Sequence, residues 1–125
     1  MDISFVFVEL QKPYGNITTK DGELGDTFRK GLKQIEDWQE WLEANYSSLY
    51  ETFVKYKHPD ILLDEEFHKF DRTRMHYSVV AGRRKDFTDR TYRLKRKIEE
   101  EQKILVLHYD NLLDTATNII GKSTY

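Results

Sequence analysis

Residues 3–10 read ISFVFVEL, and the placement of that stretch decides the fold. Ile, Phe and Val fill it with almost no polar interruption. A run of this kind is expected at the centre of a parallel α/β sheet, buried on both faces. Its exit turns polar, with Glu9, Leu10, Gln11 and Lys12 in succession. Side chains alternate along a strand, so Glu9 and Gln11 point one way and Leu10 the other. A carboxylate, an amide and an ammonium therefore gather where the strand ends. Hard cations such as Mg²⁺ take oxygen ligands of this type, and a nearby lysine can stabilise charge on a phosphate. On spacing alone, an ordinary polar strand end is the competing reading.

The strand leads into QKPYGNITTKDGELG, residues 11–25, with one Pro and three Gly. A loop of this length beside a strand end is often functional. Asp26 or Thr27 is the expected cap of a helix running to about Asn45. Phe28, Leu32, Ile35, Gln39 and Leu42 share one face of it; Gly31, Gln34, Trp38 and Trp41 share a neighbouring one. A second helix is expected over residues 47–56, broken by His58-Pro59-Asp60. Residues 60–74 read as a short helical or irregular piece. Residues 75–82, MHYSVVAG, form the second predicted strand. A third helix follows from about Arg90 to Glu101, capped by Thr88 or Asp89, and KILVLH at 103–108 is the third strand. A last helix spans about Asn111 to Ile120, with Gly121 as its terminator. The order is α/β, with a mostly parallel or mixed sheet.

The bulk properties narrow the function. The 125 residues suit one domain, and the absence of cysteine excludes disulfides, thiolate metal sites and a cysteine nucleophile. No apolar run approaches the roughly 20 residues of a membrane span, and the first residues lack the basic segment of a signal peptide. No membrane partner and a cytoplasmic location are the expectation. Net charge is −2, but eight Lys or Arg and only two acids fall between Arg83 and Lys97. Arg83, Arg84 and Lys85 leave the second strand together, and Arg93, Arg96 and Lys97 share a helix face. Such a basic segment suits phosphate contacts. The competing reading is a solvated helix whose cations pair with Glu99–Glu101. Gln34, beside Trp38 and Trp41, reads either as a contact to the strand-end carboxylate or a nucleic-acid backbone, or as a half-buried amide. His58, His68, His76 and His108 have no metal-binding spacing, although His76 and His108 bracket predicted strands and could meet. Asp60, Asp64, Glu65 and Glu66 read as surface groups. There is no glycine-rich phosphate loop, nucleophile elbow or zinc finger.

Five motifs stand in a telling order: V-E-L-x-K-P at 8–13, G-E-L at 22–24, Q-I-E-D-W-x-x-W at 34–41, V-V-A-G-R-R at 79–84 and L-V-L-H-Y-D-N-L-L at 105–113. Together they resemble the nuclease domain of the Shedu family of anti-phage defence proteins. The resemblance implies a restriction-endonuclease-like, three-layer α/β core of the PD-(D/E)xK type: a mixed sheet flanked by helices, acting on DNA with Mg²⁺ or Mn²⁺. It implies Glu9 and the Leu10 carbonyl as metal ligands, with Gln11 at the usual lysine position, where the family commonly reads E-L-K-K-P. Lys12 is the neighbouring candidate, Gln34 the family's helix glutamine, and Gly82, Arg83 and Arg84 the basic turn. Lys85 and Arg93 extend the expected DNA contacts. The family's metal-binding Asp sits on a strand before Glu9, and Asp2 is too close to serve. The expectation is thus one partial or N-terminally truncated nuclease-like domain over residues 1–125, with weak or no cleavage by itself. The alternative is an inactive relative serving as a DNA-binding or oligomerisation module, self-associating through the edge of the first strand.

Overall fold

The computed structural model describes residues 4–15 and 17–122; Asp2 and Ile3 lie outside them. The chain runs β1 (Phe5–Leu10), α1 (Asp26–Tyr56), β2 (Met75–Val80), α2 (Asp89–Gln102), β3 (Ile104–Leu107) and α3 (Tyr109–Lys122), with short 3₁₀ turns at Glu65–Phe67, Arg72–Arg74 and Arg84–Asp86. The strands lie in the order β1-β2-β3. Both pairings are parallel, with Phe5 opposite Met75 and Tyr77 opposite Ile104. The described sheet is therefore parallel throughout, not mixed, because each strand returns through a helix.

β1 is not the central strand. Among the described residues it is an edge, and on its outward face Val6, Val8 and Leu10 are 65%, 46% and 60% exposed. The centre is β2, where Tyr77, Ser78, Val79 and Val80 are all buried. Apolar composition measured capacity for burial, and neighbour order decided where burial happened.

One face of the sheet carries the main core. Phe5, Phe7, Tyr77, Val79, Ile104 and Val106 meet Phe28, Ile35, Leu42 and Tyr46 of α1 and Ile98 of α2 in a single cluster. Fully burying a side chain such as Phe28 is worth about 1.5–3 kcal/mol, and apolar residues recur along α1 at helical spacing to reach this face. On the opposite face Leu105 joins the exposed β1 residues, and Leu112, Leu113, Ile119 and Ile120 of α3 are exposed as well. On that same face, however, Ser78 and Val80 of β2 are buried, so the exposed apolar residues lie toward its two sides and on α3.

α1 consists of two helical segments that meet at a kink, at the expected stop, Asn45. Asn45 leaves helical geometry at φ −132°, ψ 24°, and its side-chain amide donates to the Trp41 carbonyl at 3.2 Å. A side chain that bonds the backbone locally competes with the helical ladder. The N-cap is Gly25, which has no side chain to offer, and Asp26 instead lies in the first turn, paired with Arg29. Beyond the kink, Phe5, Phe53 and Phe67 pack ring on ring, and the Tyr46 hydroxyl donates to the Phe67 carbonyl at 2.9 Å. α2 begins as expected at Thr88. Its hydroxyl accepts from Thr91 N–H while Thr88 N–H donates to the Thr91 hydroxyl, a reciprocal cap. α3 continues through Gly121, which does not terminate it.

The 11–25 loop is ordered by its own ladder. Thr18 pairs with Leu24 in an antiparallel bridge, Thr18 and Thr91 share a hydrogen bond of 2.5 Å, and Arg90 donates to the Gly22 carbonyl at 2.9 Å. Ile17 is buried beneath Gly82. Gly82 has φ +70°, and a Cβ there would lie 2.6 Å from Ile17 Cδ1. Gly82→Ala is therefore expected to destabilise the domain by about 1–3 kcal/mol through strain and overpacking. Urea unfolding monitored by tryptophan fluorescence checks this; an unchanged midpoint would refute it.

Candidate functional site

In a parallel sheet all strands exit on one edge, and ligand crevices of open α/β sheets form beyond that edge. Here the exits are tied by backbone bonds. Gln11 N–H donates to Val80 O at 2.8 Å, Ala81 N–H to Leu107 O at 3.0 Å, Gly82 N–H to Lys12 O at 3.0 Å and Tyr109 N–H to Gly82 O at 2.9 Å. The Tyr109 hydroxyl donates to the Gln11 carbonyl. Burial pushes the Tyr109 phenol up, with a smaller contribution from the Glu9 charge, so it remains a donor.

Glu9 and Gln11 turn toward α1, on the same side as Phe7. Gln11 Nε2 donates to Glu9 Oε1 at 2.8 Å. Gly31 of α1 permits this approach: a Cβ on it would stand 2.9 Å from Val79 Cγ1 and 3.1 Å from Gln11 Cγ. Gln11 and Gln34 line one open cleft of about 660 Å³ with Asp26, Arg29, Lys30 and Lys33. Gln11, bonded to Glu9, and the helix glutamine thus open on a common, mainly basic space.

Lys12 does not join them. Its amine lies 5.8 Å from the centre of the Tyr14 ring, and it forms no ion pair with Glu9 among the described residues. Arg93 is exposed on α2 and lines neither this cleft nor the cavity at the basic turn. His76, near the start of β2, and His108, just past β3, are at opposite ends of the parallel sheet, so they do not meet. Lys95 pairs with Glu99 at 2.6 Å, and Glu99 also accepts Val106 N–H at 3.0 Å, covering part of the outer edge of β3.

The basic turn lines a cavity of about 410 Å³ made by Arg83, Arg84, Lys85 and Asp110. Arg83 grips Asp110 with Nε at 3.2 Å and Nη2 at 2.7 Å, and Arg84 N–H donates to the same carboxylate at 2.6 Å. The Arg84 side chain pairs with Asp114. These contacts hold the Asp110 carboxyl far below the usual carboxylate range, with the Arg83 hydrogen bond the main cause. Nothing in the sequence pairs Arg83 with an acid 27 positions away. The cations of α1 did carry a signal: Arg29 and Lys30 lie four and three residues before Lys33, and Gln34 is four after Lys30, so the three cations and the amide share a helix face.

The residues at this edge do not make a Mg²⁺ or Mn²⁺ site by themselves. Among the described residues no group of three or more His, Cys, Asp or Glu converges. Glu9 stands with an amide, whereas Mg²⁺ takes near-octahedral oxygen ligands and usually one or two carboxylates.

A family model described as Shedu protein SduA, C-terminal, matches residues 2–113. The chain belongs to the Shedu SduA C-terminal family. That membership places the Shedu domain in an anti-phage defence context. None of the curated proteins and none of the solved structures matches it. Among the described residues no helix is long and apolar enough to cross a membrane.

His108 caps α3 in the Shedu domain. Its N–H donates to Asn111 Oδ1 at 3.0 Å, and its Nδ1 accepts Asn111 N–H at 3.2 Å. The ring is buried edge-on against Phe87. Burial foremost, then the Arg84 charge, lowers its pKa, against smaller raising effects from Asp110 and Asp114. The unfolded chain therefore takes up a proton that the folded chain refuses. Stability from this group is complete above about 6.5 and is lost as pH falls from there toward the lowered value. The melting temperature is expected to drop on acidification through this window, and His108→Asn, which keeps a capping oxygen, should flatten the slope. Equal slopes in both proteins would remove His108 from the account.

Proposed function

We propose that this Shedu domain is a nuclease-type domain, related to the PD-(D/E)xK endonucleases, that engages the DNA backbone at the carboxyl edge of its sheet. The supporting observation is Gln11, which is bonded to Glu9 and opens with Gln34 on a cleft carrying three cations. In this reading Glu9 is the acid of the site. Gln11 orients rather than abstracts a proton, because a neutral amide is no general base. Gln34 holds the substrate backbone, and Gly31 sets the distance between helix and strand. A complete metal centre needs at least one further carboxylate beside Glu9, so the 125-residue chain alone is expected to bind DNA but to hydrolyse it weakly or not at all.

Calorimetric titration of Mg²⁺ and Mn²⁺, with a plasmid-nicking assay and Glu9→Gln as control, tests this. Divalent binding that is weak and lost in Glu9→Gln, without robust nicking, is expected. Robust Mg²⁺-dependent cleavage abolished by Glu9→Gln would show a complete enzyme instead. Metal binding indifferent to Glu9 would remove it from the site.

A second reading, an inactive nuclease relative that acts as an assembly module, is favoured by one observation. β1 has no strand on its outer side among the described residues, and Val6, Val8 and Leu10 beside that edge are exposed. Exposed apolar edges recruit further strands. Pairing of two copies through β1 predicts a self-associating protein by sedimentation velocity that becomes monomeric in Val8→Lys. A wild-type monomer at all concentrations would exclude it.

A further inference from the structure

The basic segment at 83–97 is the conspicuous one in the sequence, but its leading arginine, Arg83, is engaged. Asp110 is only 17% exposed and holds the Arg83 guanidinium through two bonds and the Arg84 backbone through a third. An arginine gripped in this way must abandon a fitted carboxylate before it can take a phosphate.

The cations of α1 are placed differently. Lys30 has no carboxylate partner among the described residues. Lys33 pairs with Asp37 one turn along the helix, both at least half in water at 66% and 50% exposure. Arg29 pairs with Asp26, at 63% and 77%. Exposed pairs between helical neighbours contribute little and exchange readily. The cleft itself is lined by three cations and one acid, and it contains Gln11, which is bonded to Glu9.

We propose that Arg29, Lys30 and Lys33 form the phosphate-contact surface of the Shedu domain, laying the backbone of a DNA duplex along the start of α1 beside Glu9 and Gln11. This rests on the nuclease-type reading above and names the residues that position its substrate. Residues 29 to 33 span about 6 Å along a helix axis, and successive phosphates of one strand advance about 3.4 Å. Phosphates are further apart along the backbone than along the duplex axis, so the three cations reach about two of them, which suits a polyanion better than a single small anion. Phosphate contacts carry no base information, so binding through this surface is independent of sequence and sensitive to salt.

The test is fluorescence anisotropy of a labelled short duplex with the 125-residue chain, between about 50 and 200 mM salt. The wild type is expected to bind, with affinity falling steeply as salt rises. Lys30→Ala with Lys33→Ala should weaken binding about tenfold or more at low salt and make the log–log salt slope shallower by about two contacts, roughly 0.9 per contact. Lys30→Arg with Lys33→Arg should retain binding, and Lys30→Gln, which breaks no ion pair, should show part of the loss with an unchanged melting curve. Absence of wild-type binding at low salt overturns the inference, as does an alanine variant with wild-type affinity and slope. The nuclease-type reading is judged separately by Glu9-dependent metal binding, so loss of one result with the other intact identifies which has failed.

Discussion

Gly82 joins the exits of all three strands. It continues β2, its N–H bonds the Lys12 carbonyl beyond β1, and its carbonyl accepts Tyr109 N–H beyond β3. The same residue has positive φ and leaves room for Ile17 to be buried against it. Glu9 and Gln11, the basic turn and the start of α3 are all held in register by this one junction. A side chain there would displace Ile17, and with it the loop that packs on α2. The geometry of the candidate site is therefore a backbone property first.

The two ends of the sheet do different work. At the start of the strands, Phe5, Tyr46, Phe53, Phe67 and Phe70 interlock. Aromatic pairs add to ordinary burial through their edge and face preferences, so this end is an apolar anchor. At the carboxyl ends, amides, carboxylates and cations take over, and the stabilising contacts are hydrogen bonds between strand exits. A rigid base with a polar rim is what a site requires if its groups are to stay in place while a ligand comes and goes.

Charge in the Shedu domain is distributed by commitment more than by count. Arg83 and the Arg84 backbone are part of the architecture, holding the turn after β2 to α3 through Asp110, whereas the Arg84 side chain meets Asp114 in an exposed pair. The cations of α1 hold only helical neighbours or nothing. A surface pair in water contributes little, whereas a bidentate arginine on a shielded carboxylate that is also bonded to backbone is a structural clamp. The same distinction separates Lys12, which lies over Tyr14, from Gln11, which faces Glu9.

Much of this was legible in the residues alone. Hydrophobic period and turn residues placed three strands and their helices in order, Thr88 marked the start of α2, and Asn45 marked the break in α1. Strand alternation put Glu9 and Gln11 on one side, and five ordered motifs pointed to the family. These features are local, set by backbone sterics and by neighbours within a few positions. Strand order was not local: ISFVFVEL could fill a centre or an edge, and only the parallel pairing with β2 made it the edge. Nor was the covering of the sheet's two faces, since alternation tells which residues share a side but not what covers it. Whether an arginine is free or clamped depended on an acid 27 positions away. The sequence by itself determined the elements and the groups at their ends, because those follow from short-range physics; the tertiary structure alone decided which groups meet, because that follows from how the whole chain closes.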